Sequence, residues 1–458
     1  MLEGETTAIA PPAHWKSRIG RLIHAEPHEV KAVFLAFAYY FFLLSSYYIL
    51  RPLREETGVA GGVEKLPLVF TGTFVAMLVA VPAFSALAAR LPRHRFIPIT
   101  YRFFTANIVL FWILFEFGPA GIRGGAGRAF FIWTSVYNLF VVSVLWGFMA
   151  DIFRHEQGAR LFGFIAAGGS AGALTGPLLT TWLVKPLGTA NLLLVSAVLL
   201  EMSVHCVRAL HRWSVAAQNF RPHERGAEEK PLGGDFFSGI RLVFRSRLLL
   251  GLCLYVVLLT TTATVLYFEQ AKIVLRASGD PRVRTALFAR IDLVVNVLTL
   301  ILQTLVTGRL VRRLGIRFGL GLVPVLTILG FAALGAAPTL FVLMAVQGVR
   351  RATHYGIERP AREILFTDVS REERYKSKSF IDTFVYRASD AASAWMYSGL
   401  QALGLGAVPV AGAAIGVSAL WLWNSLSLAR KDEAAEERAL PASPVAKASG
   451  PQHTGEAR

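Results

Sequence analysis

Charged residues are few in this chain of 458: Asp, Glu, Lys and Arg together make up 17% of it, against about 25% in an ordinary soluble domain. That scarcity, with 54% hydrophobic residues, excludes the disordered and collagen-like classes and argues against a soluble globule. Acids are the rarer sign, 30 Asp+Glu to 47 Lys+Arg, so the net charge is +17. In so apolar a chain that excess first raises the question of where the charges sit, and no nucleic-acid partner is expected. Cysteine is nearly absent. Cys206 and Cys253 both lie in apolar runs, which excludes a disulfide framework or a thiolate metal site and leaves two small embedded hydrophobes. A Gly-Lys-Ser/Thr phosphate loop is missing, as is a His-Glu-x-x-His helix among the ten histidines. Neither nucleotide hydrolysis nor metalloenzyme chemistry is indicated, and no cofactor or metal is expected. The first 31 residues hold Pro11, Pro12 and scattered charge rather than a basic lead into a short apolar core, so the first apolar stretch reads as retained rather than cleaved.

Long apolar runs are what the chain has instead. About 20 residues cross roughly 30 Å of hydrocarbon as a helix, and runs of that order recur at Val33–Leu50, Leu66–Ala89, Ile97–Phe117, Ala129–Ala150, Leu161–Val184 and Ala190–Val207. After a polar stretch they resume at Leu248–Phe268, Thr285–Gly308, Phe318–Ala337, Thr339–Ala352, Ser379–Leu403 and Ala407–Ala429. With the N-terminus inside, and with Arg350 and Arg351, which interrupt the tenth run, counted in the connection after it, alternate connections hold 34 of the 47 Lys+Arg and the other side holds 10, leaving Arg102, Arg290 and Arg387 within runs. The bias follows the positive-inside rule and predicts an even number of crossings with both termini cytoplasmic, in a bacterial inner (plasma) membrane. The organisation expected is a cytoplasmic segment 1–31, a six-helix bundle 32–209, a cytoplasmic linker 210–247 with an amphipathic piece at Phe236–Phe244, a second bundle 248–429, and a cytoplasmic tail 430–458 that is disordered beyond a short helix.

The halves echo each other. Leu87-Ala-Ala-Arg90-Leu91-Pro92 corresponds to Leu310-Val-Arg-Arg313-Leu314-Gly315, and Asp151-x-x-Arg154-x-Glu156 to Asp368-x-x-Arg371-x-Glu373, at equivalent connections of the two halves. Parallel six-helix repeats build the major facilitator architecture, with a solute site at the midplane between them. The fold class is therefore an all-α membrane protein of 12 transmembrane helices in two pseudo-symmetric, major facilitator-like bundles. The basic connection Gly308–Arg317 resembles that superfamily's cytoplasmic loop motif, with Arg312 where an acid is usual. Gly168, Gly172 and Gly176, and likewise Gly412 and Gly416, recur every four residues, a spacing that lets helices approach closely in lipid.

Ionisable residues inside or beside the runs are the functional candidates, because they are costly there. Arg51 and Arg54 lie three apart at the end of the first run, and guanidinium forks suit phosphate or carboxylate. Arg290 and Asp292 point to opposite sides of one helix and need separate partners. Arg387 and Asp390 are spaced to pair with each other, while Asp382 precedes them. Arg102 is isolated in the third run, and Glu269 with Lys272 and Arg276 closes the seventh. The expected substrate-binding set is Arg51, Arg54, Arg102, Glu269, Lys272, Arg290 and Arg387, with Asp292 and Asp390 as charge-coupling residues and no catalytic residues.

Tyr48-Ile-Leu-Arg51-Pro-Leu-Arg54-Glu55, Val144-Leu-Trp146-Gly-Phe148, Phe162-Gly163, and Arg359-Pro-Ala-Arg-Glu363 through Lys376-Ser-Lys378-Ser-Phe-Ile-Asp382 resemble the ATP/ADP exchange transporters of plastids and intracellular bacteria, distant relatives of the major facilitators. The resemblance spans the first to the eleventh run and implies exchange of one nucleotide for another, with charged residues of spans one, four, seven and eleven holding the phosphates. Carried over position by position, Arg54 stands where the family has Lys, and Glu269 matches the span-seven acid. The span-four acid falls near Thr134 or Ser135 and is missing, and the span-eleven Lys falls on Asp390, with Arg387 as its substitute. The expected function is secondary transport of a phosphorylated anion of the ATP/ADP type by a monomer in the lipid bilayer. The alternative is proton-coupled transport of another small organic solute, titrating on Asp390 or Asp292; a third reading is a membrane protein that transports nothing. A basic, polar cavity faced by Arg54 and Arg387 favours the first, an aromatic, apolar one with a single carboxylate the second, and no cavity between the halves the third.

Overall fold

The computed structural model describes residues 25–90, 93–153, 155–216, 243–366, 377–378 and 380–439, and every regular element among them is helical. The first half holds α1 (Val30–Ala60), α2 (Leu66–Arg90), α3 (Arg93–Glu116), α4 (Ala120–Ile152) and α5 (His155–Ala216). At 1.5 Å per residue, an unbroken helix of α5's 62 residues would run about 93 Å, three times the hydrocarbon thickness. It doubles back instead. Gly188 takes φ 82° and ψ 169°, just after Pro186, a backbone state open to glycine alone without strain. The fifth and sixth crossings are the two arms of α5.

The second half holds α6 (Arg247–Ala277), α7 (Pro281–Ile301), α8 (Gly308–Ala336), α9 (Leu340–Thr353), α10 (Arg359–Leu365), α11 (Tyr386–Ala402) and α12 (Ala407–Ala439). Three π-turns interrupt it, at Leu302–Thr307, His354–Glu358 and Phe380–Val385. Among the described residues nine helices are long and apolar enough to cross a membrane, and the bent α5 supplies two crossings. The crossings that fall short on apolarity run from Leu340 to Leu365 and from Phe380 to Ala402, because they carry Arg350, Arg351, Glu358, Arg362, Asp382, Arg387 and Asp390. Counting them gives six crossings in each half, the arrangement of the expected fold class.

Several boundaries move, and each shift brings charge into a helix. α1 runs ten residues beyond Leu50, so Arg51, Arg54, Glu55 and Glu56 are helical and mostly buried rather than beside the membrane. α6 continues through Glu269 and Arg276 to Ala277. The connection between α7 and α8 is helical up to Gly315, where φ 73° makes the turn. Residues 1–24, 217–242 and 440–458 lie outside the described residues, and with them most of the expected linker and its amphipathic piece. Pro92, Arg154 and the Asp368–Glu373 match also lie outside.

The glycine stripe of α5 does what its spacing implies. A Cβ on Gly168 would stand 2.4 Å from the Phe37 carbonyl oxygen, on Gly172 2.4 Å from that of Phe41, and on Gly176 2.6 Å from Tyr48 Cβ. α5 therefore rides on the backbone of α1. The same reading fails for α12: a Cβ on Gly412 or Gly416 would meet nothing within 4 Å, so that pair faces open space. On the face opposite the terminal face, where α1 begins, Val59 and Leu66 of the first half pack with Leu266, Phe268, Ala271 and Phe288 of the second. Their burial joins the halves on that face. Since Gly172 meets backbone that cannot yield, Gly172→Ala is expected to cost about 1–3 kcal/mol, read as a lower thermal midpoint in detergent, whereas Gly412→Ala leaves the midpoint unchanged.

Candidate functional site

Two cavities lie between the halves and share the side chains of Arg51 and Tyr355. The first, about 200 Å³, is lined by Arg51, Arg54 and Glu55 of α1, Asp292 of α7, Arg350 and Arg351 of α9, His354 and Tyr355 of the π-turn, and Arg387 and Asp390 of α11. The second, about 680 Å³, is lined by Tyr40, Tyr47 and Tyr48 together with Asn138, Asn296 and Arg359. α1 starts at the terminal face and α7 ends there. The second cavity uses earlier α1 residues and later α7 residues than the first, so it lies toward the terminal face. Arg51 and Tyr355 stand at the partition.

Asp292 is the electrostatic knot. Its carboxylate, 3% exposed, takes Arg351 Nη2 at 2.9 Å on Oδ1 and Arg51 Nε at 3.4 Å on Oδ2. Arg51 comes from the first half and Arg351 from the second, so one carboxylate on α7 ties the halves across the cavity. Arg54 pairs with Glu55 at 2.8 Å, donates to the Phe131 carbonyl at 3.3 Å and lies 3.7 Å over the Phe131 ring. The cation–π contact holds the guanidinium without neutralising it. On α11, Arg387 lies 3.4 Å from Asp390, which also accepts from the Thr264 hydroxyl at 3.1 Å. Arg350 is buried, and its guanidinium donates to the hydroxyls of Thr327 at 3.0 Å and Thr262 at 3.4 Å. Hydroxyls solvate it but bring no negative charge. Five Arg against three carboxylates leave the first cavity with net positive charge.

The face opposite the termini is closed by a second tie. Arg284 of α7 donates to Glu56 of α1 through Nε at 2.8 Å and Nη2 at 2.6 Å, and both side chains are buried. The two-pronged geometry fixes direction as well as distance. Above it lies the apolar packing of Val59 and Leu66 on Leu266 and Phe268.

Of the nine residues singled out in the sequence, Arg51, Arg54, Asp292, Arg387 and Asp390 come together here. The others do not. Arg102 is almost half exposed and pairs with Glu201 at 2.8 Å on the bundle surface. Arg290 is exposed, on the side of α7 away from Asp292. Glu269 accepts from the Tyr397 hydroxyl at 2.5 Å and Lys272 donates to Gln401 at 2.8 Å. Both therefore serve the α6–α11 contact, and neighbouring Gln270 reaches the cavity instead. Arg350, Arg351, Glu55, His354 and Tyr355 are cavity residues the sequence reading did not select. The Arg350-Arg351 pair was visible as an interruption of an apolar run, but it was assigned to a connection. Thr134 and Ser135, where the exchange family has an acid, donate to the Phe130 and Phe131 carbonyls of their own helix.

Breaking one partner of a buried ion pair costs about 3–5 kcal/mol. Glu56→Gln is therefore expected to favour opening of the closed face. A cysteine placed at Phe70 in a Cys206→Ser, Cys253→Ser background should then react faster with a membrane-impermeant thiol reagent from that face.

No protein-family model matches the chain, and no curated protein is similar to it in sequence. Solved structures are similar in fold. The POT family transporter PepTSo is 12% identical, with 89% of this chain covering 99% of that one at a TM-score of 0.61. The nucleoside transporter NupG is 12% identical over 88% of this chain and 99% of that one, also at 0.61. A peptide transporter POT in complex with sulfate is 13% identical over 87% and 95%, at 0.60. The chain thus has the fold of these membrane transporters.

Proposed function

We propose that the protein is a secondary transporter that carries a phosphorylated, nucleotide-like anion between its two halves by alternating access, in exchange for a second such anion. The observation that carries this reading is the excess of Arg over carboxylate around a cavity at the junction of the halves. A multiply charged anion is the solute that such a cavity attracts and that Arg forks hold in register. The 200 Å³ chamber has room for a phosphate group, and the adjoining 680 Å³ vestibule falls within the roughly 300–1,000 Å³ usual for organic ligands. Its tyrosines Tyr40, Tyr47 and Tyr48 offer flat apolar faces to the rest of the molecule. The names of the fold neighbours agree in kind, one a nucleoside transporter and one crystallised with sulfate.

The two ties support exchange. In the empty state Arg51 and Arg351 both rest on Asp292, and separating them would strand a buried charge. An anion that takes over the guanidinium groups releases Asp292 from α1 and lets the halves rock, so the loaded carrier reorients more readily than the empty one. The resemblance to the ATP/ADP exchangers supports this reading, with changes in two of the four charged positions. Arg387, Arg350 and Arg351 supply the cations that Asp390 in place of Lys removes. With 34 of 47 basic residues in alternate connections, we assign the terminal face to the cytoplasm of a bacterial inner membrane, and the vestibule lies on that side.

A proton-coupled carrier of another small organic solute is the second reading, favoured by Asp390, a cavity carboxylate held by Thr264 and Arg387. Uptake of labelled ATP into liposomes separates the two. Exchange predicts uptake into vesicles preloaded with ADP and little into empty ones, and no movement under either condition rejects it. Arg54→Ala should abolish that uptake, a loss of at least about 100-fold for a missing bidentate phosphate contact, with membrane insertion intact. Asp292→Asn, which frees Arg51 and Arg351 from their shared carboxylate, should weaken the dependence on preloading.

A further inference from the structure

The transport reading leaves a buried carboxylate unused. Glu358 is 0% exposed, deep in the second half, at the end of the π-turn that interrupts the tenth crossing. Its Oε2 stands 2.6 Å from Nδ1 of His354, one turn back and lining the anion cavity. Its Oε1 lies 3.9 Å from Arg362, which reaches Asp382 at 3.5 Å. π-turns inside α-helices concentrate at functional sites, and this one carries a histidine on the cavity wall with a carboxylate directly behind it.

We infer that His354, positioned by Glu358, is a proton site whose occupancy is coupled to anion binding in the central cavity. The inference rests on the anion reading above. The Glu358 carboxylate stands against the imidazole as its nearest counter-charge, and that charge supports the imidazolium. The empty cavity opposes that imidazolium. Arg350 and Arg351 precede it on α9, Arg51 and Arg54 face it from α1, and Arg359 follows on α10. The cavity acids are Glu55 of α1, Asp292 of α7 and Asp390 of α11, the last beside Arg387 and Tyr386. Each has an Arg beside it. Of the remaining neighbours, the π-turn Leu302–Thr307 carries no titratable group, and the charged residues of α8 all fall between Arg309 and Arg317, before Thr327 on the same helix. Tyr355 stands next to His354 at the partition. An arriving anion reverses the sign of the field at His354 and draws a proton onto it. By linkage, a proton already there draws the anion in.

Sulfate tests this, because its charge does not change between pH 5 and 8. Calorimetric titration of the purified protein in two buffers of different ionisation enthalpy counts the protons taken up per sulfate bound. The expected result is an uptake that approaches one proton per sulfate, with affinity falling by up to about tenfold per pH unit as the pH rises. In His354→Gln the proton uptake and the pH dependence of sulfate binding disappear. In Glu358→Gln the imidazole remains without its counter-charge, and the pH dependence moves toward lower pH. If Glu358→Gln does not fold, the proton count of His354→Gln decides alone. Sulfate binding with the same proton uptake in His354→Gln overturns the inference and leaves the anion cavity standing. No sulfate binding by the unaltered protein at any pH overturns the anion cavity, and the proton site with it.

Discussion

A guanidinium group in the interior of a membrane is tolerated where protein groups replace the water it has lost, and around one cavity this protein holds five. Each is kept by a different device. Arg51 and Arg351 share a carboxylate, Arg54 lies on an aromatic face next to its own acid, Arg387 has a neighbour one turn away, and Arg350 rests on hydroxyls. These arrangements reduce the cost of each charge without cancelling the sum, so a positive potential remains in the space between the halves. The two crossings that carry most of these residues are the ones least suited to lipid, and each contains a π-turn. Around them stand helices apolar enough to shield them.

The same charges decide which movements are possible. Asp292 joins the halves at mid-depth, and Glu56 with Arg284 joins them near the face opposite the termini. Both acceptors or donors on the second half belong to α7, and both partners on the first half belong to α1. These two helices are the hinge line along which any change of access has to exchange ion pairs. The central tie is within reach of a solute, being part of the cavity wall, whereas the outer one is packed among apolar side chains. In the proposed cycle, a solute that competes at the first acts before the second opens.

Most of the architecture was legible from apolar run length and the distribution of basic residues, because a bilayer imposes one length scale on every crossing. The bend at Gly188 was also foreseeable as the gap between Val184 and Ala190. Legibility failed where charge entered helices. Arg51 and Arg54 were placed at a membrane edge because the apolar run stops at Leu50, while the helix goes on for ten more residues. Arg350 and Arg351 were read as the start of a connection for the same reason, although they are cavity residues, and Arg290 and Arg102 were chosen for lying in apolar runs although they face outward. Hydropathy reports what faces lipid. It does not distinguish a helix that ends from one that turns its polar side inward, and that distinction requires the partner: Asp292 for Arg351, and Thr327 for Arg350.

The glycine stripe of α5 makes α1 and one arm of α5 a single mechanical part. With backbone against backbone at Gly168, Gly172 and Gly176, no side chains lie between them to slide or repack. A tilt of α5 is thus delivered to α1 without slack, and Arg51 and Arg54, carried farther along α1, swing at the end of a stiff lever. Asn296 of α7 grips the Ala173 carbonyl of the same arm at 2.7 Å, within the stripe, and so marks a pivot on which that lever can turn. Small residues near one face thereby set how far two guanidinium groups travel at mid-depth.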